Sequence, residues 1–392
     1  MLEQLTLKNM GLAPELTFEF GSRLNIITGD NGVGKTFVLD SAWFALTRTW
    51  ANDRVIIPPP QSGASISYHV HGKGGPNKPV TCEFDRKEQQ WKLPQRRPPI
   101  PGLIIYARVD GGFSIWDPAR NYWRESSDSS AISESRPDKF GFDGKTLWEG
   151  LRLSDGTVVC RGLIEDWETW RLKGNGDFKL LESVLDRLSP NENERLLPGS
   201  SRKISILDSR EVPTLHLPYG EVPITQISAG IRRILSLAYS LVWAWTEHKR
   251  AAKLIDDAVA HRIIVLFDEV EAHLHPQWQR RLLPAVLEVV EKILLSDDED
   301  ITIQAIVTTH APLILASIET HFDRITDKLF NLKLTDQQKV EVEEIPWAKQ
   351  GDVISWLTSD MFELPSGYST EAERATKAAD DFMAGFPGSA TI

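Results

Sequence analysis

Eight consecutive residues constrain this chain more than any other feature. Gly29-Asp30-Asn31-Gly32-Val33-Gly34-Lys35-Thr36 fits the pattern G-x-x-x-x-G-K-[ST]. The pattern has physical content only between a buried strand and a helix. Here the apolar run Arg23-Leu24-Asn25-Ile26-Ile27-Thr28 precedes it, and a helical pattern follows from about Lys35 to Trp50. Glycines at 29, 32 and 34, with Asn31 between them, let successive backbone N–H groups converge on phosphate oxygens at a helix N-terminus. Lys35 reaches the β and γ phosphates, and the Thr36 hydroxyl is a ligand for Mg²⁺. A glycine-rich turn with no such role would need neither the strand nor the helix, so nucleotide binding is expected here.

A second apolar run, Ile263-Ile264-Val265-Leu266-Phe267, closes on Asp268 and Glu269. The first acid suits the Mg²⁺ shell. The second stands one residue beyond, where it is placed to polarise a water for in-line attack on the terminal phosphate. The alternative is a buried strand capped by solvated acids, which the upstream loop disfavours. Strand and helix then alternate. A helix is predicted from Ser228 to about Ala252, a strand over Arg262 to Phe267, a helix from Pro276 to about Leu295 and a strand over Ile301 to Val307. The fold class is therefore α/β, with residues 1–50 and 224–320 as the core. Residues 51–223 read as an insertion, β-rich and then helical, in which Leu103 to Ala107 has core-strand character and Lys203 to Leu207 is strand-like. Residues 321–392 form a C-terminal extension of two strands and two helices.

Charge restricts partners. With 44 Lys and Arg against 55 Asp and Glu, the net charge of −11 gives no global pull toward a polyphosphate. Contact with DNA would need a local patch. The candidate is Arg86, Lys87, Lys92, Arg96 and Arg97 with Trp91 among them, although Asp85 and Glu88 dilute it. Cys82 and Cys160 are too few for a disulfide scaffold. The first residues lack the basic and apolar regions of a secretory signal. The apolar stretch Ser236 to Trp245 is about half the ~20 residues a spanning helix needs. A cytoplasmic protein without membrane contact is expected.

With these motifs the chain resembles the ABC-type ATPases, in the branch of RecF, SMC, Rad50 and the overcoming-lysogenisation-defect proteins. Three more segments carry the resemblance. Ile227-Ser228-Ala229-Gly230-Ile231-Arg232-Arg233 opens a helix where the family keeps its Ser-Gly signature. Glu271-Ala272-His273-Leu274-His275-Pro276 matches the D-loop region, and Thr308-Thr309-His310-Ala311-Pro312 matches the switch-histidine segment. The order and spacing agree. The resemblance implies ATP and Mg²⁺ as cofactors, Glu269 and His310 as catalytic groups, and Thr36 and Asp268 on the metal. It also implies Ser228 and the Gly230 N–H acting on the γ-phosphate held by another subunit, hence a homodimer or higher oligomer. The signature reads Ser-Ala-Gly followed by Ile231, where transporters have a second Gly and then Gln, and Arg108 and Asp110 stand where a Q-loop glutamine is expected. His273 and His275 lack the spacing of a metal pair.

After His310 there is no D-x-D cluster for a nuclease centre, and the chain shows neither an HNH grouping nor a long heptad arm. The expectation is an ATPase with no nuclease activity of its own, similar to the stand-alone defence ATPases of the Septu type that work with a separately encoded nuclease. The alternatives are a RecF-like DNA-repair clamp and a non-catalytic nucleotide-gated scaffold. Glu269 argues against the scaffold.

Overall fold

The computed structural model describes residues 1–11, 13–52, 56–59, 63–72, 75–76, 78–94, 99–121, 137–174, 176–293, 301–362 and 364–383. Five parallel strands form the middle of an eight-stranded sheet, in the order Leu103–Ala107, Arg262–Phe267, Thr302–Thr308, Leu24–Gly29 and Lys328–Leu334. Antiparallel strands close both edges, Phe113–Trp116 and Phe140–Phe142 on one side and Val340–Glu344 on the other. The central strands are near-continuous apolar runs because both faces of the sheet are covered. Their two-residue period sorts them between two cores. Ile105, Val265, Phe267 and Val307 point into one; Ile104, Leu266 and Ile306 point into the other.

The helix Ala229–Leu254 lines the first core with Leu163–Lys173, Asp177–Arg187 and Pro276–Glu288. Trp243, whose ring meets Phe140 and Phe142 edge-on, is packing in that core. The second core lies between the central sheet and an antiparallel sheet whose main path is Ala13–Glu19, Leu2–Met10, Ser65–Gly72, Val80–Asp85 and Gln90–Trp91. The helix Lys35–Thr47 fills the space between these sheets, with Val38, Leu39, Trp43 and Phe44 buried. It stops three residues short of Trp50 because Arg48 turns left-handed and its N–H closes on the Phe44 carbonyl at 2.7 Å.

The middle and tail segments contribute to the central sheet. Leu103–Ala107 lies beside Arg262–Phe267, and Lys328–Leu334 lies beside Leu24–Gly29. Residues 203–207 differ from the strand expectation. Arg202 bridges to Val212, and Ile206 and Leu207 stand exposed, because their alternation meets no partner strand among the described residues. The helix from Pro276 ends at Glu288, after Pro284, and passes into the π turn Val289–Ile293. No helix among the described residues is long and apolar enough to cross a membrane.

Candidate functional site

The parallel register brings the carboxyl ends of three central strands together, the position at which open α/β sheets bind ligands. Phe267 lies opposite Ala107 and Val307, and Thr308 opposite Ile27. Asp268 and Glu269, Thr308 to His310, and the loop after Thr28 therefore leave the sheet side by side. In that loop Gly29, Gly32 and Gly34 have φ of 140°, 84° and 97°, conformations open to glycine. Lys35 is 5% exposed and donates to the carbonyls of Gly29 and Asp30, both at 2.8 Å. Burial pushes the ammonium down, against the pull of Glu269, Glu271, Asp268 and Asp30.

The Thr36 hydroxyl donates to Asp268 Oδ2 at 2.8 Å, and Thr308 Oγ1 donates to Asp268 Oδ1 at 2.8 Å. Asp268 is fully buried, and desolvation pushes its carboxyl above the usual range while these two hydrogen bonds oppose the shift. A hydroxyl and a carboxylate oxygen in mutual contact are a donor set suited to a hard divalent cation, so Mg²⁺ fits this pair. Glu269 follows in a left-handed conformation at φ 47°, its N–H bonded to Thr308 Oγ1 at 2.9 Å. A non-glycine residue held there is strained, as residues at functional sites often are. His310 approaches from the neighbouring strand, with Nδ1 3.9 Å from Glu269 Oε1 and 3.1 Å from Glu271 Oε1.

Ser228 is exposed, and its hydroxyl accepts from the Ile231 N–H at 3.4 Å, so within one chain it caps its own helix. A Cβ on Gly230 would come within 3.2 Å of the His273 carbonyl, which shows the signature helix packed against the turn after Glu269. His275 caps the helix Pro276–Glu288, and no metal-binding group of three His, Cys, Asp or Glu exists among the described residues. Arg108 bonds to Ser114, Phe142 and Asp110, which turns its guanidinium into its own loop.

Four side chains take parts that the sequence does not assign, although Arg233, Thr308 and Glu271 stand inside the motif segments. Arg233 donates to the carbonyls of Arg108, Asp268 and Glu269 at 3.3, 3.3 and 3.4 Å, tying the signature helix to the acidic strand end. Thr308 and Glu271 hold Asp268 and His310 as described. Asp40, one helical turn beyond Thr36, is hydrogen-bonded by Tyr106 and pushed up to about 6, chiefly by burial; its Oδ1 is buried without a partner among the described residues. The four-residue spacing from Thr36 was a signal available in the sequence.

The basic patch is changed by the fold. Trp91 is 6% exposed, donates to the Ile56 carbonyl at 3.0 Å and packs among Phe44, Trp50 and Phe84, so it presents no face for base stacking. Lys92 pairs with Asp85 and Arg86 donates to the Pro59 carbonyl. Arg96 and Arg97 lie outside the described residues.

The family described as "AAA domain, putative AbiEii toxin, Type IV TA system" matches residues 24–316. The chain is 31% identical over 257 residues to the "Retron Ec83 probable ATPase" of Escherichia coli, covering 61% of this chain and 41% of that protein. It therefore spans less than half of that relative's length. It is 20% identical over 384 residues to the "Septu protein PtuA" of Bacillus thuringiensis, covering 93% of this chain and 83% of that protein. Among solved structures, an SMC head bound to the C-winged helix domain of ScpA aligns with TM-score 0.47 and 16% identity, over 88% of this chain and 97% of that one. The SMC head domain from Thermotoga maritima aligns with TM-score 0.42 and 14% identity, over 88% and 98%. Because the family match runs from the strand before the glycine-rich loop to the helix after His310, well over half of the sequence, the chain belongs to this AAA-domain family.

Proposed function

We propose that the chain is a Mg²⁺-dependent ATP-binding and hydrolysing subunit whose nucleotide-gated dimer controls a separate effector in defence against phage. The observation that carries the hydrolytic part is the 2.8 Å bond from Thr36 to Asp268 with Glu269 next along the backbone. The loop N–H groups bind the phosphates, and Lys35 exchanges its two loop carbonyls for phosphate oxygens. Thr36 and Asp268 would hold the metal, which would supply positive charge to offset that of the phosphates. Glu269 orients the attacking water and takes its proton, while His310 borders the terminal phosphate. The exposed Ser228 and the Gly230 N–H act on nucleotide held by a second copy, so binding and dimer closure are one equilibrium. The defence role and the effector rest on the retron and Septu relatives.

The test is ATP turnover and mass in solution for the wild type and Glu269→Gln, with and without ATP and Mg²⁺. The variant is expected to bind ATP, lose about 10²- to 10⁴-fold in turnover and remain a closed dimer or larger assembly. A wild type that hydrolyses nothing, with a mass indifferent to nucleotide, overturns the proposal.

A further inference from the structure

Glu271 is bound up with His310 more closely than its place in a surface turn would require. Its Oε1 accepts the His310 backbone N–H at 2.7 Å and lies 3.1 Å from His310 Nδ1, across 39 residues of sequence. Its side chain is only 4% exposed, whereas that of His310 is 44% exposed. Glu271 Oε2 is buried without a hydrogen-bond partner among the described residues. A carboxylate taken this far out of water needs donors; the His310 backbone N–H supplies one, and the ring nitrogen of the same residue stands within 3.1 Å. The turn that delivers it contains two left-handed residues, Glu269 at φ 47° and His273 at φ 64°, and closes through Ala272 N–H to the Glu269 carbonyl at 2.9 Å. That turn continues directly from Asp268, so any shift of the acidic strand end reaches the histidine ring through one carboxylate.

We propose that Glu271 is a positioning residue that fixes the tautomer and direction of His310. The carboxylate accepts only, so Nδ1 must carry the hydrogen, and Nε2 becomes the open face of the ring. The second acid facing the ring, Glu269, lies 3.9 Å from the same Nδ1 and favours the same arrangement. Glu271 thereby sets the direction in which the ring presents Nε2 toward the nucleotide site. This inference rests on the hydrolytic reading of the site for its kinetic consequence. The tautomer itself does not depend on that reading.

The experiment is ¹⁵N NMR of the full chain labelled at histidine, without nucleotide, at a pH where the ring is neutral. His310→Gln assigns the signal among the nine histidines. The wild type is expected to show His310 protonated at Nδ1. Glu271→Gln keeps an acceptor for the backbone N–H but offers an amide donor to the ring, and is expected to move the hydrogen to Nε2. Its kcat for ATP should fall about 10- to 100-fold with KM within about twofold, the size of effect that partners orienting a site residue usually have. If Glu271→Gln does not fold, Glu271→Asp is used. It should keep the hydrogen on Nδ1 and retain more turnover than His310→Gln. A wild-type ring protonated at Nε2, or a tautomer that ignores Glu271→Gln, overturns the proposal. If the wild type has no turnover, the hydrolytic reading fails by itself, and the tautomer pair still decides whether Glu271 orients the ring.

Discussion

The closest approach in the phosphate loop gives the sharpest prediction. Gly29 ends the strand Leu24–Gly29 and pairs with Leu332 of the neighbouring parallel strand. A Cβ at position 29 would stand 2.4 Å from the Leu332 carbonyl oxygen and 3.1 Å from Leu332 Cβ. The oxygen belongs to the backbone of a buried strand, so it cannot turn aside as a side-chain end would. Gly29 also has φ 140°, which L-residues rarely adopt. Gly29→Ala therefore adds backbone strain of about 1–3 kcal/mol to overpacking of about 1–3 kcal/mol, or about 2–6 kcal/mol together. Gly32→Ala is the internal control, because a Cβ there meets nothing within 4 Å and only the strain of φ 84° remains. Urea unfolding of the three proteins measures the difference, and fluorescent-nucleotide binding reports whether the loop survives. Gly29→Ala should shift the unfolding midpoint clearly more than Gly32→Ala. Equal midpoints would refute the reasoning, since they would mean that the strand carrying Leu332 does not press on the loop.

That contact marks the boundary of what the sequence makes legible. The phosphate loop, the acidic strand and the histidine segment can be read because each motif is local: a few adjacent residues imply the strand or helix end on which they stand. The apolar run Leu103–Ala107 is readable as a core strand for the same reason. Strand order is not local. Nothing in Lys328–Leu334 says that it lies beside Leu24–Gly29, so the pressure of Leu332 on Gly29 becomes visible only with the sheet. The supporting side chains fail for a related reason. Thr308 is 40 residues from the Asp268 it bonds, Glu271 is 39 from His310, and Arg233 is 35 from Asp268. Residues 203–207 show the converse, since an alternating apolar pattern looks the same whether or not a neighbour exists to pair with it. Trp91 shows the limit of proximity in sequence: its neighbours along the chain are basic, while the ring itself belongs to a buried aromatic group.

Two further perturbations separate these accounts. Trp91→Ala is expected to cost about 3–5 kcal/mol in urea unfolding, while leaving any salt-sensitive DNA affinity per folded molecule unchanged; lost affinity with unchanged stability would restore Trp91 as a stacking residue. Asp166 carries a pH dependence with a definite sign, because burial pushes its carboxyl up to about 6 although Tyr239 donates to it at 2.6 Å. The folded chain holds this proton more tightly than the unfolded chain, whose carboxyl titrates near 3.9. Its contribution is therefore most favourable below that value and is lost as pH rises through about 6. Asp166→Asn keeps an acceptor for Tyr239 and removes the charge, so it should raise stability at pH 7 to 8 by about 1–3 kcal/mol and flatten the decline in urea midpoint between about pH 4 and about pH 6. A variant less stable than the wild type at pH 8 would mean that the carboxylate is held by partners whose attraction exceeds the cost of burying it.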